Sequence, residues 1–557
     1  METVPPEAIR AIAHPSPADW PTYSGDVRGN RYSSLREINE RNVSSLRQAW
    51  VHPLPYDPLE TTPVVMDAVM YVTGPNQVYA LDARTGGEIW HYSRPRSAAS
   101  GISGDAAKGA QRGVAVLGDR VFFITDNAHL ICLHRLTGAL LWDVAMPEDS
   151  GKYGGTSAPL VAGDLVIAGV SGGDEGVRGF VAAYRATSGE QAWRFWTVPK
   201  ADEAAAATWQ GDASPQGGTT WTTPSYDPDT GVLYVGVGNP YPDTDGDDRG
   251  GDNLYTDSDL ALDAKTGKLL WYFQFTPHDV HDWDANQPLV LIDAPFRGLQ
   301  RKLLLHANRN GFFYVLDRTS GKLLLASALV RKLTWASGIG PDGRPILLPA
   351  NETTLGGAKT CPAVRGATNW YSTSYNPLTG LYYVMTVEDC SLYRKAHDGG
   401  YGFINDPADP AHKVLRALAI DTGKIVWELS LIHILVRNSP AEYKQIGAAE
   451  LAYINAGIPV SSLEARRSVK WRELVLDRQL GILTLSYACY GYVAYMFFTW
   501  FFKYLSDVRG LNLKASALYA TLPFIAMAIA SSLGGLVSDR LLGLIGKRAA
   551  RCGVRCV

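Results

Sequence analysis

Apolar residues over the first 430 positions come in short runs, each broken by a polar turn and followed by a second run that closes on tryptophan. The clearest unit is Val78-Tyr79-Ala80-Leu81, then the turn Asp82-Ala83-Arg84-Thr85-Gly86, then a run ending at Trp90. The same string recurs from Leu133 to Trp142, Ala183 to Trp193, Ala261 to Trp271 and Ala419 to Trp427; a sixth copy, Val315 to Leu325, lacks the Trp. Each copy predicts strand, turn, strand: Gly supplies the positive φ that the turn needs, and Asp or Thr holds the turn backbone. A spacing of roughly 50 residues is the period of four-stranded propeller blades, not of helical solenoids. Each Trp is then placed to pack between neighbouring blades.

Near residue 430 the pattern changes without a linker. Gln479 to Phe502 and Ala515 to Ser538 contain no charged residue and are each long enough to cross a bilayer as a helix. Ser439-Pro440-Ala441-Glu442 reads as a helix start, with Ser at the N-cap and Glu closing a capping box. The expected division is a mainly β propeller over 1–430, a seam and loop-like segment over 431–478, and two transmembrane helices over 479–557.

Composition fits a turn-rich globular chain: 46% hydrophobic, 10% aromatic, 55 Gly. A net charge of −3 argues against a nucleic-acid partner. The six Cys form no Cys-x-x-Cys pair, which argues against zinc ribbons and thioredoxin chemistry; a Cys361–Cys390 bridge would need an oxidising compartment. The acidic run Asp243 to Asp248 imitates the start of an EF-hand, but Asp248 stands where Gly is required and Leu254 where Glu is, so a solvated loop is expected. With no third His or Cys nearby, His278 and His281 are expected to serve the turn and not a transition metal.

Polar residues cluster where strand sequence breaks into Gly-rich turns: Gly154-Gly155-Thr156, Ser171 to Gly179, Gly217 to Trp221, Val237 to Pro240, Thr276 to Asp284, and Asn308 to Gly311. Turns at one end of successive blades converge on the propeller axis, so they can build one site. Carboxylates and an Asn oxygen suit calcium, and Arg suits a carboxylate-rich cofactor.

In these motifs, their order and their spacing, the first 430 residues resemble the quinoprotein alcohol dehydrogenases, eight-bladed propellers that use pyrroloquinoline quinone (PQQ) and calcium. The resemblance implies that Trp221 is the indole on which the quinone stacks, with Arg112, Thr156, Ser171, Gly172, Thr219 and Asn369 around it. It implies Asn239 and Asp284 as calcium ligands, Asp284 also as catalytic base, Arg309 beside the reactive carbonyl, and a Cys361–Cys390 disulfide. The family's metal-binding Glu aligns with Asp174, and Glu175 can replace it only if the turn shifts by one residue. Ala106 and Ala107 stand where many members carry adjacent Cys, and Asn286 stands where lanthanide-using members carry Asp, which favours calcium. The implied reaction is oxidation of an alcohol or sugar by hydride transfer to calcium-bound PQQ. No Cys-x-x-Cys-His haem site is present, so a separate acceptor, cytochrome c or a quinone, is expected to take the electrons.

Residues from about 435 to 550 resemble the middle of a major facilitator superfamily transporter for organic anions, through Gly534-Gly535-Leu536-Val537-Ser538-Asp539-Arg540 and the basic Gly546-Lys547-Arg548. Two helices of about twelve do not enclose a transport path. Basic residues flanking both apolar runs place those flanks in the cytoplasm, whereas the quinoprotein resemblance implies a periplasmic propeller, and Met1 to Pro6 carry no secretory signal. Leu429 to Ile434 read like a translated sequencing-adapter remnant. The expectation is a chimera in which the propeller lacks its last blades and the C-terminal helices engage the membrane. The alternatives are a transporter fragment and a non-catalytic propeller or chimeric product with no native function.

Overall fold

The computed structural model describes residues 3–430 except 57–58, 98–106, 149–150, 213, 396–401 and 407–408, together with 504, 505 and 509. The chain divides into two compact units, Met1–Arg437 and Asn438–Val557. The seam, both apolar runs and the transporter-like motif lie outside the described residues. Among the described residues no helix is long and apolar enough to cross a membrane.

The first unit is built from antiparallel four-stranded sheets. The first blade is Val64–Met66, Val69–Gly74, Gln77–Asp82 and Glu88–Ser93 in that spatial order. Four further meanders occupy 115–145, 160–196, 225–274 and 290–328. A sixth sheet is formed by Ser374–Asn376, Leu381–Glu388, His412–Ala419 and Ile425–Ser430. The resemblance implies eight blades, and the described residues build six. Between its second and third strands the sixth blade carries an excursion, Ser391–Tyr393 and Phe403–Asn405, which pairs with Ala358–Thr360.

The repeat occupies the third and fourth strands of every blade, and its chemistry fixes how blades stack. Asp82 Oδ1 accepts from the backbone N–H of Arg84 and Thr85 (both 2.9 Å), and Asp263 repeats this with Lys265 and Thr266. The ladder slips by one residue at the same motif position in all six blades, from Ala80/Leu81 to Ala417/Leu418. Beyond that bulge the Trp reaches the next blade: Trp90 Nε1 donates to Arg135 O (2.9 Å), Trp142 to Ala186 O (3.2 Å), Trp193 to Ala264 O (2.9 Å) and Trp271 to Arg318 O (3.2 Å). Trp50, ahead of the first blade, does the same to Ala83 O (3.2 Å). Each indole lies against the turn Gly of the blade it meets; at Gly267, with φ of +71°, an added Cβ would sit 2.5 Å from Trp193. Glycine is therefore required there for both conformation and space.

Candidate functional site

Site residues enter the axis at one end of the blades, just before an innermost strand or just after a second strand. Arg112 precedes the second blade, Thr156 and Ser171 flank the first two strands of the third, and Thr219, Trp221 and Asn239 do so in the fourth. Asp284 and Arg309 flank the corresponding strands of the fifth blade, and Asn369 precedes the sixth. These loops wall a cavity of about 350 Å³. All eleven residues expected from the sequence line it, Gly172 and Asp174 included.

One wall is a network around Trp221. Thr156 Oγ1 donates to Trp221 O (2.9 Å) and shares a 3.1 Å hydrogen bond with Ser171 Oγ. Arg112 is fully buried, bonded to Glu60 Oε2 (2.6 Å) and Thr156 O (3.3 Å), with its guanidinium 5.0 Å from the Trp221 ring and 4.6 Å from the Trp370 ring. Asn369 bonds its own loop through Arg365 O (3.1 Å).

The adjoining wall is acidic. Asp284 Oδ1 accepts from Trp221 Nε1 (3.1 Å) and the Asn239 backbone N–H (3.2 Å), while Oδ2 pairs with Arg309 Nη1. Arg309 Nη2 reaches Asp282 Oδ2 (3.3 Å) and Val364 O (2.6 Å). Burial alone would lower the Arg309 pKa, but the charges of Asp282 and Asp284 raise it above its ordinary value. Asn239 Nδ2 donates to Asp174 Oδ1 (3.4 Å) and Pro240 O (3.2 Å). Crowding among protein atoms, then the charges of Asp284, Asp243 and Glu175, push Asp174 up to about 7. Asp174 keeps accessible surface, which tempers the size of that shift but not its direction.

Four residues stand differently from expectation. Asp279 caps its turn, accepting from the N–H of His281 (3.0 Å) and Trp283 (2.8 Å), whereas Asp282, which was not among the expected site residues, lines the cavity. Its φ of +61° turns the carboxylate toward Arg309, a conformation that no local sequence signal announces. The loop expected to be solvated is so only at Asp247 and Asp248; Asp243 turns inward beside Asp174, and burial raises its pKa. Trp370 and Tyr371 also line the cavity and had no signal beyond adjacency to Asn369. His278 and His281 behave as turn residues: His278 Nδ1 meets Gly251 O (3.1 Å), and His281 stacks on Trp283 at 4.2 Å. Cys361 and Cys390 form a disulfide that brackets the wall segment carrying Val364 and Asn369.

The donor set suits a flat, acceptor-rich ligand beside a cation. The buried Nε–H groups of Arg112 and Arg309 have no acceptor in the protein, and such groups are rarely left unpaired. Asp174 and Asp284 repel one another at an edge where Asn239 adds an amide oxygen, hard donors of the kind calcium takes. Among the described residues no three His, Cys, Asp or Glu side chains converge on one point, so the cation position rests on two carboxylates and an amide.

Fold and site together define a β-propeller with an axial pocket whose donors suit a planar, acceptor-rich ligand beside a cation. The PQQ family model "Glucose/ethanol/alcohol dehydrogenase, beta-propeller domain" matches residues 20–327, and the chain belongs to this family. It is 39% identical over 438 residues to quinohemoprotein alcohol dehydrogenase ADH IIB of Pseudomonas putida, covering 74% of this chain and 63% of that one. It is 37% identical to quinoprotein alcohol dehydrogenase PedH of Pseudomonas putida, covering 72% and 73%. The crystal structure of quinohemoprotein alcohol dehydrogenase from Comamonas testosteroni superposes with a TM-score of 0.70 at 34% identity, covering 77% and 69%. A europium-containing methanol dehydrogenase superposes at 0.69 with 30% identity, covering 76% and 80%. The chain spans 63%, 54% and 56% of the length of the quinohemoprotein alcohol dehydrogenases ADH IIB and ADH-IIG of Pseudomonas putida and that of Comamonas testosteroni.

Proposed function

We propose that this chain is the propeller of a dehydrogenase that oxidises an alcohol or sugar, with PQQ as electron acceptor and calcium as the cation. The observation that carries the reading is the meeting, in one pocket, of an indole face, two buried guanidinium N–H groups without acceptors, and the Asp174–Asn239–Asp284 edge. Arg112, Thr156, Ser171, Gly172, Thr219 and Asn369 would hold the cofactor's oxygens, Trp221 would face its rings, and Asp174, Asn239 and Asp284 would hold calcium. When bound, PQQ and calcium supply a polarised carbonyl that takes hydride from the alcohol carbon. Asp284 accepts the hydroxyl proton. Its carboxylate is held in orientation by Trp221 Nε1 and the Asn239 N–H on one oxygen and by Arg309 on the other. Asp282 keeps Arg309 in place from its second nitrogen.

The Cys361–Cys390 disulfide supports an oxidising compartment such as the periplasm. A separate cytochrome c or quinone completes the proposal as electron acceptor. Membrane attachment and transport rest on residues 431–557 and have no support among the described residues. Purified protein should quench its tryptophan emission on titration with PQQ and calcium and then oxidise alcohols with an artificial electron-accepting dye. Asp284→Asn should retain the quenching and lose turnover. Turnover unaffected by that substitution removes Asp284 as base, and a folded protein that never binds PQQ supports the non-catalytic alternative.

A further inference from the structure

We infer that the segment Tyr23–Asn30 is a positioning element of the cofactor pocket, closing the propeller axis beneath it and setting the relative height of three site residues. The inference rests on the PQQ reading of the pocket. Val27 O accepts from Tyr226 N (2.7 Å), Arg28 O from Leu291 N (2.9 Å), and Asn30 Oδ1 from Tyr375 N (2.8 Å), while Asn30 Nδ2 donates to Tyr375 O (3.0 Å). Tyr226, Leu291 and Tyr375 lie on the innermost strands of the fourth, fifth and sixth blades. In the loops that lead into these strands, a few residues upstream, stand Trp221, Asp284 and Asn369. Neighbouring positions of one segment therefore anchor the innermost strands of three adjacent blades, the strands into which the site loops lead. Trp20 pairs with Val65 of the first blade (2.7 and 2.8 Å), and Val27 packs in one core cluster with Val161 of the third. Only about 10 Å³ of free space separates Tyr23, Ser24 and Gly29 from Thr222, Thr223 and Trp370, at most room for one water molecule. Trp370 also lines the cofactor cavity, so segment and pocket share a wall. Gly29 marks the tightest point: at φ +80°, an added Cβ would lie 2.1 Å from Leu289 O and 2.5 Å from Ser225 Oγ.

Asn30→Ala removes both bonds to Tyr375 with no new bulk, and Gly29→Ala lifts the segment off Leu289. Both should raise the PQQ concentration for half-maximal tryptophan quenching at least tenfold. Gly267→Ala, far from the pocket, serves as the destabilised control and should lower the melting temperature at unchanged PQQ affinity. If Gly29→Ala does not fold, Asn30→Ala carries the test. A folded Asn30→Ala protein with wild-type affinity overturns the inference, as does a Gly267→Ala protein weakened to the same degree. Hydrogen exchange on the ligand-free protein reads the coupling without PQQ. Asn30→Ala should speed exchange at Tyr226 and Leu291 as well as at Tyr375, and a change confined to Tyr375 overturns the inference. Wild-type protein that binds no PQQ refutes the cofactor reading, whereas exchange confined to Tyr375 refutes the coupling, so the two failures are told apart.

Discussion

Gly238→Ala adds one methyl group where backbone runs close to the proposed base. Gly238 has no positive φ, so alanine meets no conformational strain and the effect comes from space alone. The new Cβ would lie 2.5 Å from Asp284 Oδ1, 3.0 Å from Asn286 Nδ2 and 3.0 Å from Thr219 O, where ordinary contact starts at 3.4 Å. To clear it, the carboxylate must retreat by about 1 Å, roughly the misplacement that costs a hundredfold in rate when a reacting group is held slightly wrong. The same movement stretches the bonds from Trp221 Nε1 (3.1 Å) and Asn239 N (3.2 Å) past useful length. Holding the carboxylate still would shift the backbone instead, at about 1–3 kcal/mol. We expect kcat/KM for dye-linked alcohol oxidation to fall on the order of a hundredfold, with quenching by PQQ still observed because Arg112 and Thr156 are untouched. Gly231→Ala in the same blade is the control: its φ is +71° and nothing lies within 4 Å of an added Cβ. It should lose about 1–2 kcal/mol of stability and keep wild-type kcat/KM. Full activity in a folded Gly238→Ala protein, or equal loss in both variants, refutes the reasoning.

Gly267→Ala shares its φ of +71° with Gly231 but adds the clash with Trp193; denaturant unfolding should place it about 1–3 kcal/mol below Gly231→Ala, and equal values would discount the indole contact. Desolvation, with the charge of Asp284, raises the pKa of the partly accessible Asp174 toward about 7, and burial raises Asp257 and Asp282 well above the carboxylate range. Folded values above the unfolded one mean that ligand-free protein loses stability as pH rises from about 4 through about 7. Calcium should therefore raise the melting temperature more at about pH 8 than at about pH 5, and an equal rise at both would contradict the crowded-carboxylate account. Reducing Cys361–Cys390, separated by 29 residues, should cost about 3–4 kcal/mol and weaken PQQ binding, because Val364 O, a partner of Arg309, lies inside the bridged loop. Unchanged affinity after confirmed reduction would separate the bridge from the site.

The blades were legible because every determinant of the repeat is local: an Asp that caps its own turn, a Gly at positive φ and a Trp at fixed distance. The sixth copy shows how far such a signal can be degraded, since 290–328 forms a full blade with Leu325 in place of Trp. The cavity residues were legible through resemblance, because turns at one end of the blades are brought together by the ring itself. Asp282 was not, because its role comes from a left-handed backbone and from Arg309, a residue on another loop. Asp243 was misjudged because an acidic run reads as solvated until Arg249, Asp279 and Asp174 are known to surround it. Least legible was Tyr23–Asn30, a non-periodic stretch whose Asn30 finds its partner 345 residues away.

The indole contacts between blades have a direction in time. Trp50, Trp90, Trp142, Trp193 and Trp271 each precede the Gly they rest on, which are Gly86, Gly138, Gly189, Gly267 and Gly321. On the ribosome a finished blade thus presents an uncovered indole until the following hairpin has been synthesised. At about 5–20 residues per second, intervals of 36 to 74 residues correspond to roughly 2–15 s for each ring. The nascent chain exposes its newest blade face in turn and covers it with the next, so chaperone demand during synthesis should follow the position of the tryptophans along the message.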